Sequence, residues 1–307
     1  MSEDVMISVA MATYNGEKYL REQIDSILAQ THQNFELVIC DDCSTDGTVG
    51  ILYEYETQDP RIHVYVNESN LGFKKNFERA ISLCKGEYIA LSDQDDVWLP
   101  EHLEALYKNL GDNPLVIGRA VAVDKDLNSL GFCTRSDDFY LSESSDGQFL
   151  QILYSNFVQG CVCLFSKAAC GFIFPVPEEQ KFHDYWIGLS VLASEYKISY
   201  TPAVISYYRL HDNNVDGRRQ SIPQILKDRK RYYSSKLSWN KALDRIPLSV
   251  AKKKILDEMN DYFRANLRFG CRLKFGKWFV SNYRLIYSRN SNKHIIKRFI
   301  IRIVIGF

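Results

Sequence analysis

Short apolar runs of strand-forming residues alternate with longer stretches of helical spacing through the first 110 residues. Ile7 to Ala12 predicts a strand that ends in the turn Thr13-Tyr14-Asn15-Gly16. Glu17 to Gln30 then sets Leu20, Ile24, Ile27 and Leu28 on one face of a helix. Phe35 to Cys40 predicts a second strand, Ile62 to Val66 a third and Tyr88 to Leu91 a fourth. One helical segment begins at Thr48, another follows Asn67 to Gly72 and runs through Lys85, and a further one runs from Glu101 to Leu110. Strand alternating with helix is the pattern of a mostly parallel, Rossmann-like α/β sheet flanked by helices. Farther along, Leu115 to Val123 and Phe157 to Phe165 read as further strands, separated by a polar Ser/Asp-rich surface loop over 124–147. A helix is expected from the 181–187 segment through Ala193, then paired short strands over Ile198 to Tyr208, broken at Pro202. Ile225 to Asn240 and Val250 to Leu267 read as helices.

Three of the early strands empty into polar clusters: Thr13-Tyr14-Asn15, Asp41-Asp42 and Asp93-Gln94-Asp95-Asp96. A buried strand cannot hold adjacent acids in its middle, so these clusters belong at strand ends, where open α/β sheets place their ligands. Two acids one residue apart, Asp93 and Asp95, can share a hard divalent cation that keeps open positions for phosphate oxygens. Asp96, shortly before Pro100 and a helical run, reads instead as a helix cap. No Gly-x-Gly-x-x-Gly follows the first strand and no P-loop occurs, which disfavours dinucleotide and P-loop chemistry.

The zero net charge conceals an asymmetry. Residues 218–307 hold 23 Lys and Arg against 5 Asp and Glu, leaving 15 against 33 in the rest. The boundary is therefore expected near 217, with an acidic body (1–217) and a basic helical extension (218–307) that suits an anionic partner. The last stretch, 293–307, alternates cationic with bulky apolar residues. It is too short to span a bilayer but suits an anionic membrane surface, the alternative being a basic bundle packed on the acidic body. Nucleic acid is a poor partner for an acidic body without a binding motif. The eight cysteines show no zinc or disulfide spacing, and the acidic N-terminus has no apolar signal core, so a reduced, cytoplasmic setting is expected.

In this order, the segments 12–20, 41–48, 70–76 and 92–98 resemble the inverting family-2 glycosyltransferases of the GT-A fold, over roughly residues 7–217. The segments His183-Asp-Tyr-Trp and 208–214 are similar to a bacterial subgroup that makes rhamnose-containing capsules, O-antigens and wall rhamnans. The resemblance implies a nucleotide pocket lined by Thr13, Tyr14 and Asn15, with Asp41 or Asp42 accepting the ring N–H of uracil or thymine. Lys75 and Asn76 would lie near the nucleotide, and Arg209 would neutralise phosphate charge. Asp93, Asp95 and His211 would hold Mg2+ or Mn2+ on the sugar diphosphate. Asp184 would be the base that deprotonates the acceptor hydroxyl, with Tyr185 or Trp186 stacking on a sugar. His183 is expected to be structural. The implied donor is dTDP-β-L-rhamnose, or else a UDP-hexose or UDP-N-acetylhexosamine, with a saccharide or lipid-linked acceptor on the inner face of the plasma membrane. Outside this chemistry stand a sugar nucleotidylyltransferase, whose Gly-rich loop is missing, and a non-catalytic carbohydrate-binding or scaffolding protein.

Overall fold

The computed structural model describes residues 5–211, 222–267 and 282. In chain order the first half runs β1 (Ile7–Thr13), α1 (Leu20–Leu28), β2 (Phe35–Asp41), α2 (Thr48–Gln58), β3 (Ile62–Val66), α3 (Phe73–Leu83) and β4 (Tyr88–Ser92). The second half continues with β5 (Val97–Trp98), α4 (His102–Leu110), β6 (Leu115–Val123), β7 (Ser129–Cys133), α5 (Ser145–Tyr154), β8 (Cys163–Ser166), α6 (Cys170–Ile173), α7 (His183–Ala193) and β9 (Ile198–Arg209). Helices α8 (Ile222–Asn240) and α9 (Val250–Leu267) close the described chain.

The strands form one mixed sheet in the order β3-β2-β1-β4-β8-β6-β9-β5, with β7 paired to β6 off this path. β3, β2, β1 and β4 run parallel, and β8 reverses direction against β4. The register sets Thr13 beside Asp41 and Met11 beside Ser92, so the polar segments that follow these strands leave the same edge of the sheet. Side chains alternate between two cores. Val9, Met11, Leu37, Ile39 and Ala90 face one, whereas Ala10, Val38, Cys40, Ile89 and Leu91 face the other. Coverage by helices on both faces explains why these strands read as continuous apolar runs.

Several boundaries differ from the sequence expectation. Pro202 does not split β9, because the β6–β9 register shifts between Ile117 and Ala120 and accommodates it as a bulge on one long strand. The polar segment 124–147 contains β7, exposed along most of its length. Only Cys163–Ser166 of the run 157–165 is a strand, preceded by a 3-10 turn at Gly160–Val162.

The helices after residue 217 do not form a second core. Tyr233, Leu256, Met259, Tyr262 and Phe263 are buried in the same apolar cluster as Phe149 of α5 and Tyr185 and Leu189 of α7. Lys252 is fully buried, with its Nζ 2.7 Å from Glu195. Among the described residues no helix is long and apolar enough to cross a membrane. The stretches 212–214 and 293–307, singled out above, lie outside the described residues. All seven cysteines among the described residues are free thiols.

Candidate active site

The nucleotide side of the site grows from the ends of β1 and β2. Where these parallel strands part, backbone groups lose their ladder partners and must find others. Asn76 supplies one, donating from Nδ2 to the Cys40 carbonyl at 2.7 Å while its Oδ1 accepts from Asn67 at 2.9 Å. It is buried, so it frames the crevice and does not face a ligand, contrary to expectation. Asp41 accepts from Thr13 Oγ1 at 2.8 Å and from the backbone N–H of Ser44 at 2.8 Å. Asp42, 2 % exposed, accepts from the N–H groups of Leu71 (2.7 Å) and Gly72 (2.8 Å) and from Asn67 Nδ2 (2.8 Å). Gly72 needs the freedom of glycine here, since its φ of 82° is costly for other residues. Thr13, Asp41 and Asp42 thus fix the shape of the pocket. Tyr14 is half-exposed, and Asn15 and Lys75 are exposed as well. Lys75 lies 3.9 Å from Glu178.

The acidic segment after β4 is tied to that loop. The Gln94 side-chain amide accepts the Tyr14 N–H at 2.8 Å and donates to the Tyr14 carbonyl at 3.1 Å. A Cβ on Gly16 would come 2.3 Å from Gln94 Oε1, so any other residue there must push the Gln94 amide aside. Asp95 Oδ2 lies 2.9 Å from His211 Nε2, which joins two expected ligands separated by 116 positions. Asp93 is pushed up to about 7, first by desolvation and then by the charges of Asp95 and Asp184. One oxygen of each of Asp93 and Asp96 and the Cys161 sulfur lie within 4.8 Å of one another.

Asp96 is not a helix cap. Its Oδ1 accepts the Arg209 N–H at 3.0 Å, β5 follows it directly, and α4 begins at His102 after Glu101. Burial, then Asp95 and Asp93, pushes its acid well above the usual range.

The donor atoms suit a hard divalent cation at Asp93, Asp95 and His211. Adjacent ligands of an octahedral site at about 2.1 Å from the ion stand about 3 Å apart, the spacing of the Asp95–His211 pair. Cys161 is too soft a donor for Mg2+, which argues for the Asp95 side over the Asp96–Cys161 side.

Arg209 departs from its expected place. It is 1 % exposed, and its guanidinium donates to the carbonyls of Asp95 (2.8 Å) and Lys125 (2.8 Å) and to Glu22 (2.7 Å), over the Tyr19 ring at 4.3 Å. These partners hold the fork inside the protein behind the acidic loop, not against a phosphate.

Farther along the chain, α7 begins at His183, so Asp184 lies in its first turn, where a carboxylate is favoured by the helix dipole. Its Oδ1 accepts the Tyr185 N–H at 2.5 Å. Tyr185 and Trp186 are 1 % and 3 % exposed, and Trp186 Nε1 donates to the Ile173 carbonyl at 2.6 Å. Both rings are core, not sugar platforms, because the following turn of α7 is buried on all sides. His183 is structural as expected: it stacks on Phe77 at 4.3 Å, and burial pushes it down to about 4. Sequence reasoning missed Arg135, placed in the polar loop. Its guanidinium is buried, donates to the Gly118 and Phe157 carbonyls, and sits close enough to Asp184 to feel its charge. No sequence signal marks it, since an arginine in a Ser/Asp-rich stretch looks solvated.

Thus Asp93 feels both Asp95, paired with His211, and Asp184, so the two halves of the expected site meet in one region. Such a sheet, with polar residues at the carboxyl end of β1 and acids at those of β2 and β4, is of the α/β class that gathers its ligand-binding groups at the strand ends. Residues 8–173 match the family described as glycosyl transferase family 2, and the chain belongs to that family. It is 41 % identical over 99 residues to the putative teichuronic acid biosynthesis glycosyltransferase TuaG of Bacillus subtilis, a match spanning 32 % of this chain and 39 % of that relative. It is 26 % identical, over 71 % of this chain and 82 % of the relative, to the Escherichia coli UDP-Glc:alpha-D-GlcNAc-diphosphoundecaprenol beta-1,3-glucosyltransferase WfgD. The fold matches that of Staphylococcus aureus TarS residues 1–349 in complex with UDP-GlcNAc. That match has a TM-score of 0.64 and 20 % identity, and covers 92 % of this chain and 81 % of the 1–349 chain.

Proposed function

We propose that the protein is a metal-dependent, inverting glycosyltransferase of bacterial surface polysaccharide synthesis, with Asp184 as base. The observation that carries this reading is the Asp95–His211 pair, 2.9 Å apart, beside a crowded Asp93 that desolvation first, and then the charges of Asp95 and Asp184, push up. A bound cation would relieve that crowding, and a transferred sugar would sit between the cation and the base.

Asp93, Asp95 and His211 would hold Mg2+ or Mn2+, which stabilises charge on the departing diphosphate when bound. Tyr14 and Asn15 offer the exposed surface of the nucleotide pocket, while Asp41 and Asp42 keep the loops that form it in place. Asp184 takes the proton from an acceptor hydroxyl as that oxygen attacks the anomeric carbon from the face opposite the leaving group. Arg135, buried on the Gly118 and Phe157 carbonyls, adds a positive charge in the neighbourhood of that carboxylate.

The donor we favour is dTDP-β-L-rhamnose, on the strength of the 183–186 and 208–214 segments. A UDP-hexose or UDP-N-acetylhexosamine is the second reading, supported by the UDP-sugars named for WfgD and TarS. Thymine and uracil present the same ring N–H, so a carboxylate near the base cannot distinguish them. The acceptor would be a saccharide or a lipid-linked saccharide, as the name of WfgD indicates for that enzyme. The basic, apolar 293–307 stretch would hold the protein on the anionic inner face of the plasma membrane. Deleting those residues is expected to release the protein from anionic vesicles, and unchanged co-sedimentation refutes the anchoring role.

A donor screen with a lipid-linked acceptor and MnCl2, with and without EDTA, tests the main reading. Transfer from dTDP-rhamnose alone supports the first donor, and transfer from a UDP-sugar alone supports the second. Turnover unaffected by EDTA overturns the metal role. Asp184→Asn is expected to abolish transfer and retain nucleotide binding, and normal turnover by that variant removes Asp184 as base.

A further inference from the structure

The segment 174–182 leads directly into the helix that carries Asp184, and it has no secondary structure of its own. Its position is imposed from outside, mainly by the first two turns of α3. The Lys74 ammonium donates to three carbonyls of this segment: Pro177 at 3.1 Å, Glu178 at 3.4 Å and Gln180 at 3.1 Å. An ammonium has three N–H bonds and no acceptor, so three converging carbonyls match it fully. One turn farther, Glu78 Oε1 accepts the Val176 N–H at 2.6 Å. Phe73 lies against Phe182, with ring centroids 6.4 Å apart, and Phe77 stacks on His183 at 4.3 Å. Across the segment, Gln180 Nε2 donates to the Trp239 carbonyl at 2.7 Å and Arg245 pairs with Glu179 at 2.9 Å.

The start of α3 is itself bolted to the nucleotide side, because Asp42 holds the Leu71 and Gly72 N–H groups. A single stretch, 71–78, therefore touches the nucleotide frame at one end and the approach to Asp184 at the other. We propose that Lys74 is a positioning residue. It sets the segment 176–182, and through it Asp184, relative to the nucleotide frame held by Asp42. The proposal rests on the reading of Asp184 as base. Lys74 touches neither sugar nor metal; it acts through the carbonyls it gathers. Lys75, one position on, reaches the same segment only through an exposed pair with the Glu178 carboxylate at 3.9 Å, which contributes little.

The test is Lys74→Met, which keeps the aliphatic stem and removes the three donors. Two measurements are made on the full chain, with wild type and Asp184→Asn in parallel. In hydrogen exchange with UDP and MnCl2 present, amides of 176–184 are expected to exchange at least tenfold faster, with those of 13–16 and 41–48 unchanged. With the donor active in the screen above, kcat is expected to fall tenfold or more while the Kd for UDP or dTDP stays within twofold. A role confined to overall stability would move exchange throughout the chain and leave kcat of the folded enzyme intact, and that result overturns the proposal. So does wild-type exchange at 176–184, or an equal loss of kcat and nucleotide affinity. If Lys74→Met fails to fold, Glu78→Ala removes the neighbouring tie to Val176, and the same pattern is required of it. Normal turnover by Asp184→Asn would instead refute the base assignment, independently of what Lys74→Met does to the exchange of 176–184.

Discussion

Replacing Arg209 with Met separates two roles that its sequence context cannot distinguish. If the guanidinium met phosphate, the loss would fall on nucleotide affinity and leave the fold intact. Its actual partners imply the reverse. Met leaves the half-buried Asp95 carbonyl without its donor, whereas the Lys125 carbonyl, on an exposed residue, rehydrates. An orphaned buried acceptor costs about 1–3 kcal/mol. The stacking on Tyr19 at 4.3 Å is desolvated and adds about 1–2 kcal/mol. Glu22 is half-exposed and rehydrates, so that ion pair contributes less than about 1 kcal/mol. The sum is a loss of about 2–6 kcal/mol, a large share of the roughly 5–15 kcal/mol by which domains are stable. Urea unfolding followed by tryptophan fluorescence measures it, beside UDP titration of the folded protein. Arg209→Lys should fall between wild type and Met, since one ammonium cannot reach carbonyls and carboxylate spread around a planar fork. Stability within about 1 kcal/mol of wild type, together with a tenfold or greater rise in the Kd for UDP, would refute the structural assignment and restore the phosphate contact.

Gly16→Ala should weaken UDP binding at least several-fold, because the new methyl displaces the Gln94 amide from Tyr14; unchanged titration would show that the clip is dispensable. His102 is buried against Trp98 and pushed down to about 3 by desolvation, from an ordinary 6.5. Below pH 6.5 the unfolded chain therefore binds the extra proton, and the contribution of His102 to stability is lost as pH falls toward 3. The stability gap between wild type and His102→Leu should narrow by about 2 kcal/mol from pH 7 to pH 5, at about 1.4 kcal/mol per unit; parallel pH profiles would contradict this.

The first half of the fold was legible because β1 to β4 and α1 to α3 obey local rules. Buried parallel strands must be apolar throughout, and acids can only follow them. The strand register was not needed to foresee that Asp41, Asp42 and Asp93 would leave one edge. The reversal at β8 was hidden, since a four-residue strand after a 3-10 turn carries no periodic signal. Pro202 was misread for a related reason: a bulge is defined by the partner strand, and β6 lies some eighty residues away. Within the site, residue type pointed to chemistry but not to direction. Asp95 and His211 met as expected. Arg209, Asn76, Tyr185 and Trp186 have the right chemistry for ligand contact, yet face the interior, because the orientation of a side chain depends on packing that no single segment encodes. Arg135 shows the converse, a charge from a polar stretch drawn inside by two carbonyls.

The burial of α8 and α9 against α5 and α7 bears on how the enzyme can be taken apart. A chain ended near residue 217 would strip the lid from Tyr185, Phe149 and Leu189 and leave an oily scar where two helices had rested. Shortened versions intended for assay or crystallisation should therefore keep everything through Leu267. Grafting the donor-recognition half onto another transferase will succeed only if the host brings its own helical cover for that surface.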